Sequence, residues 1–437
     1  MDTSRVFAKE PPVQYRLSRK AVTAGAVGNL IEFYDATLYT LLAPVFSQQF
    51  FPADSKAAAL LYTYGAVVGV AFVVRPVAAA LLSPYGDRYG RRRLLSLTLY
   101  IMTAGLLLIS LSPAYDSIGV LAPIFLVSGR VIQNISNSGE YQAASVFMVE
   151  HAPPGRRASV GSVQYVTAGL GILCATLVSA LISAVLPADA LAAWGWRIPF
   201  LLGAVLCLYG LRLRRAVPES RVFSALQTAG KVESRPLRTA IREHRRGVLL
   251  VMVVQFSQST YFVWQVFLPT YAHLVCGFPL KTGLMLNAVS LAVFVGALPL
   301  VGSLSDRMTG RKPLILAEAF GFALLAVPML SLLQDATPGR YLLVAVTGNL
   351  LLALTYGNVS ALFSELFPTG VRASGVGVPY NVATTIFGGS VPIIATWSIA
   401  HQYEMALGYW ILLLEATAGV LLFLLLPETR GRTLDTA

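Results

Sequence analysis

The chain is 437 residues long, 56% apolar and 12% charged, about half the charged fraction expected of a soluble protein. Its apolar residues fall in blocks of about 20 or more, long enough to cross a hydrocarbon core of roughly 30 Å, which excludes an ordinary soluble domain. A net charge of +12 invites a nucleic-acid partner, but every basic cluster sits where membrane topology would put it, so none is expected.

Twelve blocks follow one another along the chain. The first six lie near 21–46, 57–83, 94–112, 118–149, 158–186 and 196–213, the second six near 248–276, 281–304, 313–333, 340–366, 373–399 and 406–427. They lack the alternation of barrel strands, and a bilayer accepts only helices or closed barrels, so they are predicted to be helices. The first has no small-residue cleavage site after a short apolar core and reads as a retained helix. The predicted layout is an N-terminal six-helix bundle with its tail over 1–213, a basic linker over 214–247, and a C-terminal bundle with a short tail over 248–437. Of the 33 Lys and Arg residues, only Lys56, Arg197, Lys281 and Arg340 fall on one side, and Arg75 and Arg130 lie inside helices. The rest occupy the other side, so both termini are expected in the cytoplasm.

The two halves repeat one another. Gly86-Asp87-Arg88-Tyr89-Gly90-Arg91 after block two answers Ser305-Asp306-Arg307-Met308-Thr309-Gly310-Arg311 after block eight. Glu150-His151-Ala152-Pro153 leading to Arg157-Ala158-Ser159 answers Glu365-Leu366-Phe367-Pro368 leading to Arg372-Ala373-Ser374, and Pro218-Glu219 answers Pro427-Glu428. Paired six-helix halves are a transporter architecture, with the site between them. Asp87, Arg91, Glu150 and Arg157, with Asp306, Arg311, Glu365 and Arg372, are expected to pair across neighbouring helices as a cytoplasmic gate, made in one state and broken in the other.

The ordered set of motifs resembles the major facilitator superfamily, and within it the metabolite:proton symporters, which include carriers for proline/betaine, 2-oxoglutarate, citrate and shikimate. It runs from Gly28-Asn29 with Glu32, Tyr34-Asp35 and Tyr39, through Arg75-Pro76, the Asp87–Arg91 loop, Arg130 with Gln133 and Gly139-Glu140-Tyr141. It continues through Trp194–Phe200 and Leu268–Tyr271 to Glu365–Pro368 and Tyr380-Asn381. The resemblance implies an all-α polytopic fold of twelve transmembrane helices in two pseudo-symmetric halves, in a bacterial-type inner membrane.

Ionisable groups at membrane depth are costly and become functional candidates. Glu32 and Asp35 share a face of helix one with Tyr39; Arg130, Asn134, Asn137 and Tyr141 form a polar stripe on helix four. An Asp35–Arg130 pair is the preferred proton switch, with Glu32 an equal alternative. Asn29, Arg75 and Gln164 join Arg130 and the stripe as candidate substrate contacts, and the second half adds the neutral Gln258, Tyr261, Gln265, Tyr380 and Asn381. Glu318 and Glu415, in helices peripheral to such a fold, are expected to pack or face the lipid edge.

These residues predict proton-coupled symport of a small organic anion or zwitterion by a monomer. The alternatives are a proton-driven antiporter exporting a larger polar metabolite, such as a siderophore or drug, and a membrane-embedded enzyme. The four histidines are dispersed, the three cysteines show no metal spacing, and no phosphate loop or nucleophile motif is present, so neither an enzyme, a metal nor a cofactor is expected.

Overall fold

The computed structural model describes residues 19–52, 56–268, 271–272, 276–334, 336–401, 403 and 405–434. Within them the chain forms helices and no strand. In the first half these are α1 (Arg19–Phe50), α2 (Lys56–Tyr89), α3 (Arg91–Ser110), α4 (Leu121–Glu150), α5 (Pro154–Val185) and α6 (Arg197–Arg215). In the second they are α7 (Arg245–Gln265), α8 (Leu280–Arg307), α9 (Lys312–Ser331), α10 (Pro338–Glu365), α11 (372–400) and α12 (Ala406–Leu425). The basic linker folds into two short helices, Arg221–Thr228 and Pro236–Glu243.

Seven described helices are long and apolar enough to cross a membrane, eight if Ala188–Gly195 and Arg197–Arg215, bent by 44°, count as one span. The polar side chains that α1 and α4 bury, among them Asn29, Glu32, Asp35, Arg130, Gln133 and Glu140, set these two apart from the apolar spans. Length and composition therefore understate spans whose polar face points inward.

The packing repeats as the sequence does. In the first half α2 lies on α4, α3 on α6 and α1 on α5; in the second α8 lies on α10, α9 on α12 and α7 on α11. The halves meet where α2 packs on α11 and α5 on α8. Phe46, Trp196 and Phe200 anchor an apolar core in the first half, and Trp264, Phe322 and Tyr341 in the second.

The Pro-Glu pair that closes each half caps a helix of that half. Glu219 accepts from the backbone N–H of Arg92 at 3.0 Å, at the start of α3. Glu428 accepts from Arg311 N at 2.8 Å and Lys312 N at 3.4 Å, at the start of α9. Each carboxylate thus meets otherwise unpaired N–H groups at the positive end of a helix. The loop glycines follow from this: a Cβ on Gly90 or Gly310 would collide with Glu219 or Glu428, and Gly90 also has φ of 102°. Burial pushes Glu219 above the ordinary carboxylate range. Burial acts the same way on Glu428, but N–H groups of Arg430, Arg311, Lys312 and Thr429 outweigh it and hold that carboxyl below the range.

Candidate functional site

Two polar centres lie on the boundary between the halves. The first is at the end of the bundle that carries the basic loops. In each half the Glu-x-x-Pro-x-x-x-Arg-Ala-Ser motif leaves a helix, makes a one-turn 3₁₀ helix (Pro154–Arg156 or Thr369–Val371) and starts the next helix at Arg157 or Arg372. The first free N–H groups of that next helix then dock on the aspartate of the opposite half. Asp87 accepts from Ala373 N at 2.9 Å and Ser374 N at 2.7 Å; Asp306 accepts from Ala158 N at 3.0 Å and Ser159 N at 2.8 Å.

Buried ion pairs tie the same segments together. Within the halves Arg91 meets Asp87 at 3.2 Å and Glu150 at 3.5 Å, while Arg311 meets Glu365 at 2.6 Å and Asp306 at 3.5 Å. Arg157 and Arg372 exchange partners between the halves: Arg372 reaches Glu150 at 2.7 Å and Arg157 reaches Glu365 at 3.2 Å. All eight residues singled out by the repeat therefore pair, in two clusters of four: Asp87, Arg91 and Glu150 with Arg372 of the other half, and Asp306, Arg311 and Glu365 with Arg157 of the other half. The motif arginines project past their own helix starts into the other bundle, which sequence spacing alone does not encode. The C-terminal tail adds to both clusters: Arg157 donates to Arg432 O at 2.6 Å and Arg372 to Leu434 O at 2.5 Å.

The second centre is a cavity of about 190 Å³ between the bundles. From the first half Glu32, Arg75, Asn137, Tyr141 and Tyr165 line it, and from the second Gln255, Tyr261, Tyr356, Tyr380 and Asn381. Its aromatic wall is continuous across the boundary. Ring centroids lie 5.3 Å apart for Tyr141 and Tyr380, 4.6 Å for Tyr165 and Tyr356, and 5.1 Å for Tyr261 and Tyr356. Two short π-helical segments, Phe262–Phe267 running past the end of α7 and Thr384–Gly388 in α11, bring Phe262 and Thr384 to the same wall; such bulges often mark functional sites. Glu32 is 8% exposed and its Oε2 has no protein hydrogen-bond partner.

Behind this wall sits the predicted Asp35–Arg130 pair, at 3.2 Å, with Asp35 fully buried. Gln133 donates to Asp35 Oδ1 at 2.7 Å and accepts from Arg130 at 2.6 Å, and the Arg130 guanidinium lies 4.2 Å from the Tyr39 ring centre. Asn134 links the two layers: its Oδ1 accepts from Arg75 Nε at 3.1 Å and its Nδ2 donates to Arg130 O at 2.9 Å.

Of the candidate contacts, Arg75, Asn137, Tyr141, Tyr261, Tyr380 and Asn381 line the cavity with Glu32, whereas Asn29, Tyr39, Arg130, Asn134, Gln164, Gln258 and Gln265 do not. Several of these are taken up by helix–helix bonds. Gln164 donates to Asn29 Oδ1 at 2.9 Å and to Tyr141 O at 3.0 Å; Gln265 donates to Asn349. Gln258 is fully buried. Tyr165, Phe294 and Tyr356 line the cavity although they were not among the expected contacts, and so does Gln255, one of the neutral polar groups of α7; the repeat was the available signal, since Tyr165 and Tyr356 stand 215 residues from the expected contacts Tyr380 and Tyr141. The buried Glu140–Arg214 pair was also missed, since Arg214 lies at the sequence boundary of the linker.

Comparison with known proteins decides the family. The model of the Major Facilitator Superfamily matches residues 25–396. The chain belongs to the Major Facilitator Superfamily. It is 33% identical to the Alpha-ketoglutarate permease of Escherichia coli (strain K12), over 95% of each chain. It is 31% identical to the Citrate-proton symporter of Klebsiella pneumoniae, covering 98% of this chain and 97% of that one. It is 30% identical to the Glycine betaine/proline/ectoine/pipecolic acid transporter OusA of Dickeya dadantii (strain 3937), covering 96% and 85%. The proton:xylose symporter XylE bound to 6-bromo-6-deoxy-D-glucose has the same fold, with TM-score 0.78, 21% identity and coverage of 95% and 97%. Like its relatives, this major facilitator protein is a membrane transporter and not an enzyme, with its cavity at the boundary between the six-helix halves.

Proposed function

We propose that this transporter is a proton-coupled symporter that imports a small carboxylate-bearing solute, preferably a zwitterion with an ammonium group, across a bacterial-type inner membrane. The charge inventory of the cavity carries the reading. Among the described lining residues Glu32 and Arg75 are the charged ones, and they face five tyrosines drawn from both halves. With Nε engaged by Asn134, the terminal nitrogens of Arg75 can hold a carboxylate in a bidentate pair. Tyrosine faces attract an ammonium group through their quadrupoles. The names of the relatives point to both 2-oxoglutarate and citrate on one side and to glycine betaine and proline on the other. A single arginine beside a carboxylate suits a monocarboxylate or zwitterion better than a di- or tricarboxylate.

Glu32 is the primary proton carrier in this reading, since it faces the substrate and has an oxygen without a protein partner. Asp35, paired with Arg130 behind the wall, acts as a second relay through Asn134 and Arg75. The basic end of the bundle faces the cytoplasm, so the interlocked ion pairs are the cytoplasmic gate, closed in this structure. Export of a siderophore-sized molecule is disfavoured by a cavity of about 190 Å³, below the roughly 300–1,000 Å³ of drug-sized sites.

Proteoliposomes with an imposed inward proton gradient test the reading. Radiolabelled glycine betaine or proline should accumulate, and collapsing the gradient should stop accumulation. Accumulation only of citrate or 2-oxoglutarate would overturn the zwitterion assignment, and efflux driven by the gradient would overturn import.

A further inference from the structure

Glu318 of α9 and Glu415 of α12 do not lie at a lipid edge. Both are fully buried, and their side chains converge on α7. Ser257 Oγ lies between them, 2.6 Å from Glu415 Oε2 and 3.1 Å from Glu318 Oε2. Thr260 Oγ1 is 2.5 Å from Glu415 Oε1, and Thr355 Oγ1 of α10 is 3.3 Å from Glu318 Oε2. Glu318 Oε1 is buried with no hydrogen-bond partner.

Proton counting at the serine is informative. A serine hydroxyl has one hydrogen to donate, yet Ser257 Oγ touches two carboxyl oxygens. If it donates to Glu415, its contact with Glu318 places two acceptors together unless Glu318 carries a proton. If it donates to Glu318, the same holds for Glu415. Thr260 and Thr355 are neutral donors and supply no positive charge. Among the described residues neither carboxyl takes part in an ion pair. The groups presented to the pair are thus Ser257 and Thr260 from α7 and Thr355 from α10, with Tyr356 adjoining in sequence. An ionised pair would leave two like charges and a bare oxygen inside the membrane, which low-dielectric surroundings strongly oppose.

We propose that Glu318 and Glu415 form a proton-binding site in the second half, holding at least one proton through Ser257 and distinct from the Glu32–Arg75 cavity. The site adjoins the cavity wall, because Thr260 and Thr355 immediately precede the lining residues Tyr261 and Tyr356. The chain is irregular at the same place: after Val254 O accepts from Gln258, 3₁₀-type bonds run from Ser259 N to Phe256 O and from Tyr261 N to Gln258 O. A proton held here sets the position of that irregular turn, and with it the aromatic wall contributed by α7 and α10.

Infrared spectroscopy of the purified full-length transporter at pH 7, in H₂O and D₂O, tests the site without any transported solute, so its outcome is separate from the symport reading. A deuteration-sensitive carbonyl band of a protonated carboxyl is expected. It should lose intensity in Glu318→Gln, in Glu415→Gln and in the double variant, and persist at these two acids in Glu32→Gln. Thermal melts identify which variants fold, and the two single variants together suffice if the double does not. Identical carboxyl bands in the wild type and in the folded double variant, or in the wild type and both folded single variants, would mean that both acids are ionised, and would overturn the proposal.

Discussion

Replacing Glu150 by Gln separates the part of the ion-pair network that must break during transport from the part that need not. Glu150 meets Arg91, in its own half, at 3.5 Å, and Arg372, in the other half, at 2.7 Å. The Arg91 contact can survive when the halves part; only the Arg372 contact is lost. The closed state is therefore weakened relative to the open one by about one charge-assisted hydrogen bond, roughly 1.5–3 kcal/mol. That corresponds to a roughly 10- to 150-fold shift toward the cytoplasm-open state. The assay uses a background with Cys174, Cys207 and Cys276 changed to Ser and an Asn137→Cys reporter on the cavity wall. In inside-out vesicles, an impermeant maleimide should label the reporter at least tenfold faster when Glu150→Gln is added. The mirror change, Glu365→Gln, should accelerate labelling less, because its cross-half contact with Arg157 is longer at 3.2 Å. Equal labelling with and without Glu150→Gln, in protein that melts as a folded unit, would refute the view that this contact holds the gate.

Other changes give distinct outcomes. Glu32→Gln should abolish uphill accumulation while sparing substrate exchange in counterflow; retained accumulation moves the coupling role to Asp35. Asp35→Asn leaves Arg130 buried without its counter-charge, so it should lower the melting temperature through a loss of about 3–5 kcal/mol. Arg75→Ala should raise KM for a carboxylate substrate about 10- to 100-fold, by loss of a charged hydrogen bond, and leave binding of a substrate analogue lacking the carboxylate largely unaffected. Glu428→Gln probes pH dependence: a carboxyl held below its ordinary range stabilises the fold above that range and loses the effect as pH falls through its folded value. The melting difference from wild type should thus be present at pH 7, about 1 kcal/mol as for a lost helix cap, and shrink in acid.

Much of this architecture was legible because it is repeated. Aspartate, glycine and arginine recur at matching places in the two halves, and each has a local physical reason: a helix start to dock, a capping carboxylate to admit, a buried partner to neutralise. The Asp35–Arg130 pair was legible too, since a carboxylate and a guanidinium at membrane depth need one another. What the sequence could not convey was rotation about the helix axis. Asn29 and Gln164 looked like ligand contacts but bond to each other between α1 and α5, whereas Tyr165 and Tyr356 turn into the cavity. Glu318 and Glu415, on separate helices, showed nothing of their convergence on Ser257 until α7 was in place.

The central claim is that solute and proton move together through the cavity between the halves. Proteoliposomes loaded with a pH-sensitive dye, with no initial proton gradient, test it most directly when an outside pulse of glycine betaine or proline is added. Acidification of the lumen that follows solute entry, and that disappears in Glu32→Gln, is the predicted result. Solute entry without acidification, or alkalinisation of the lumen, would contradict it.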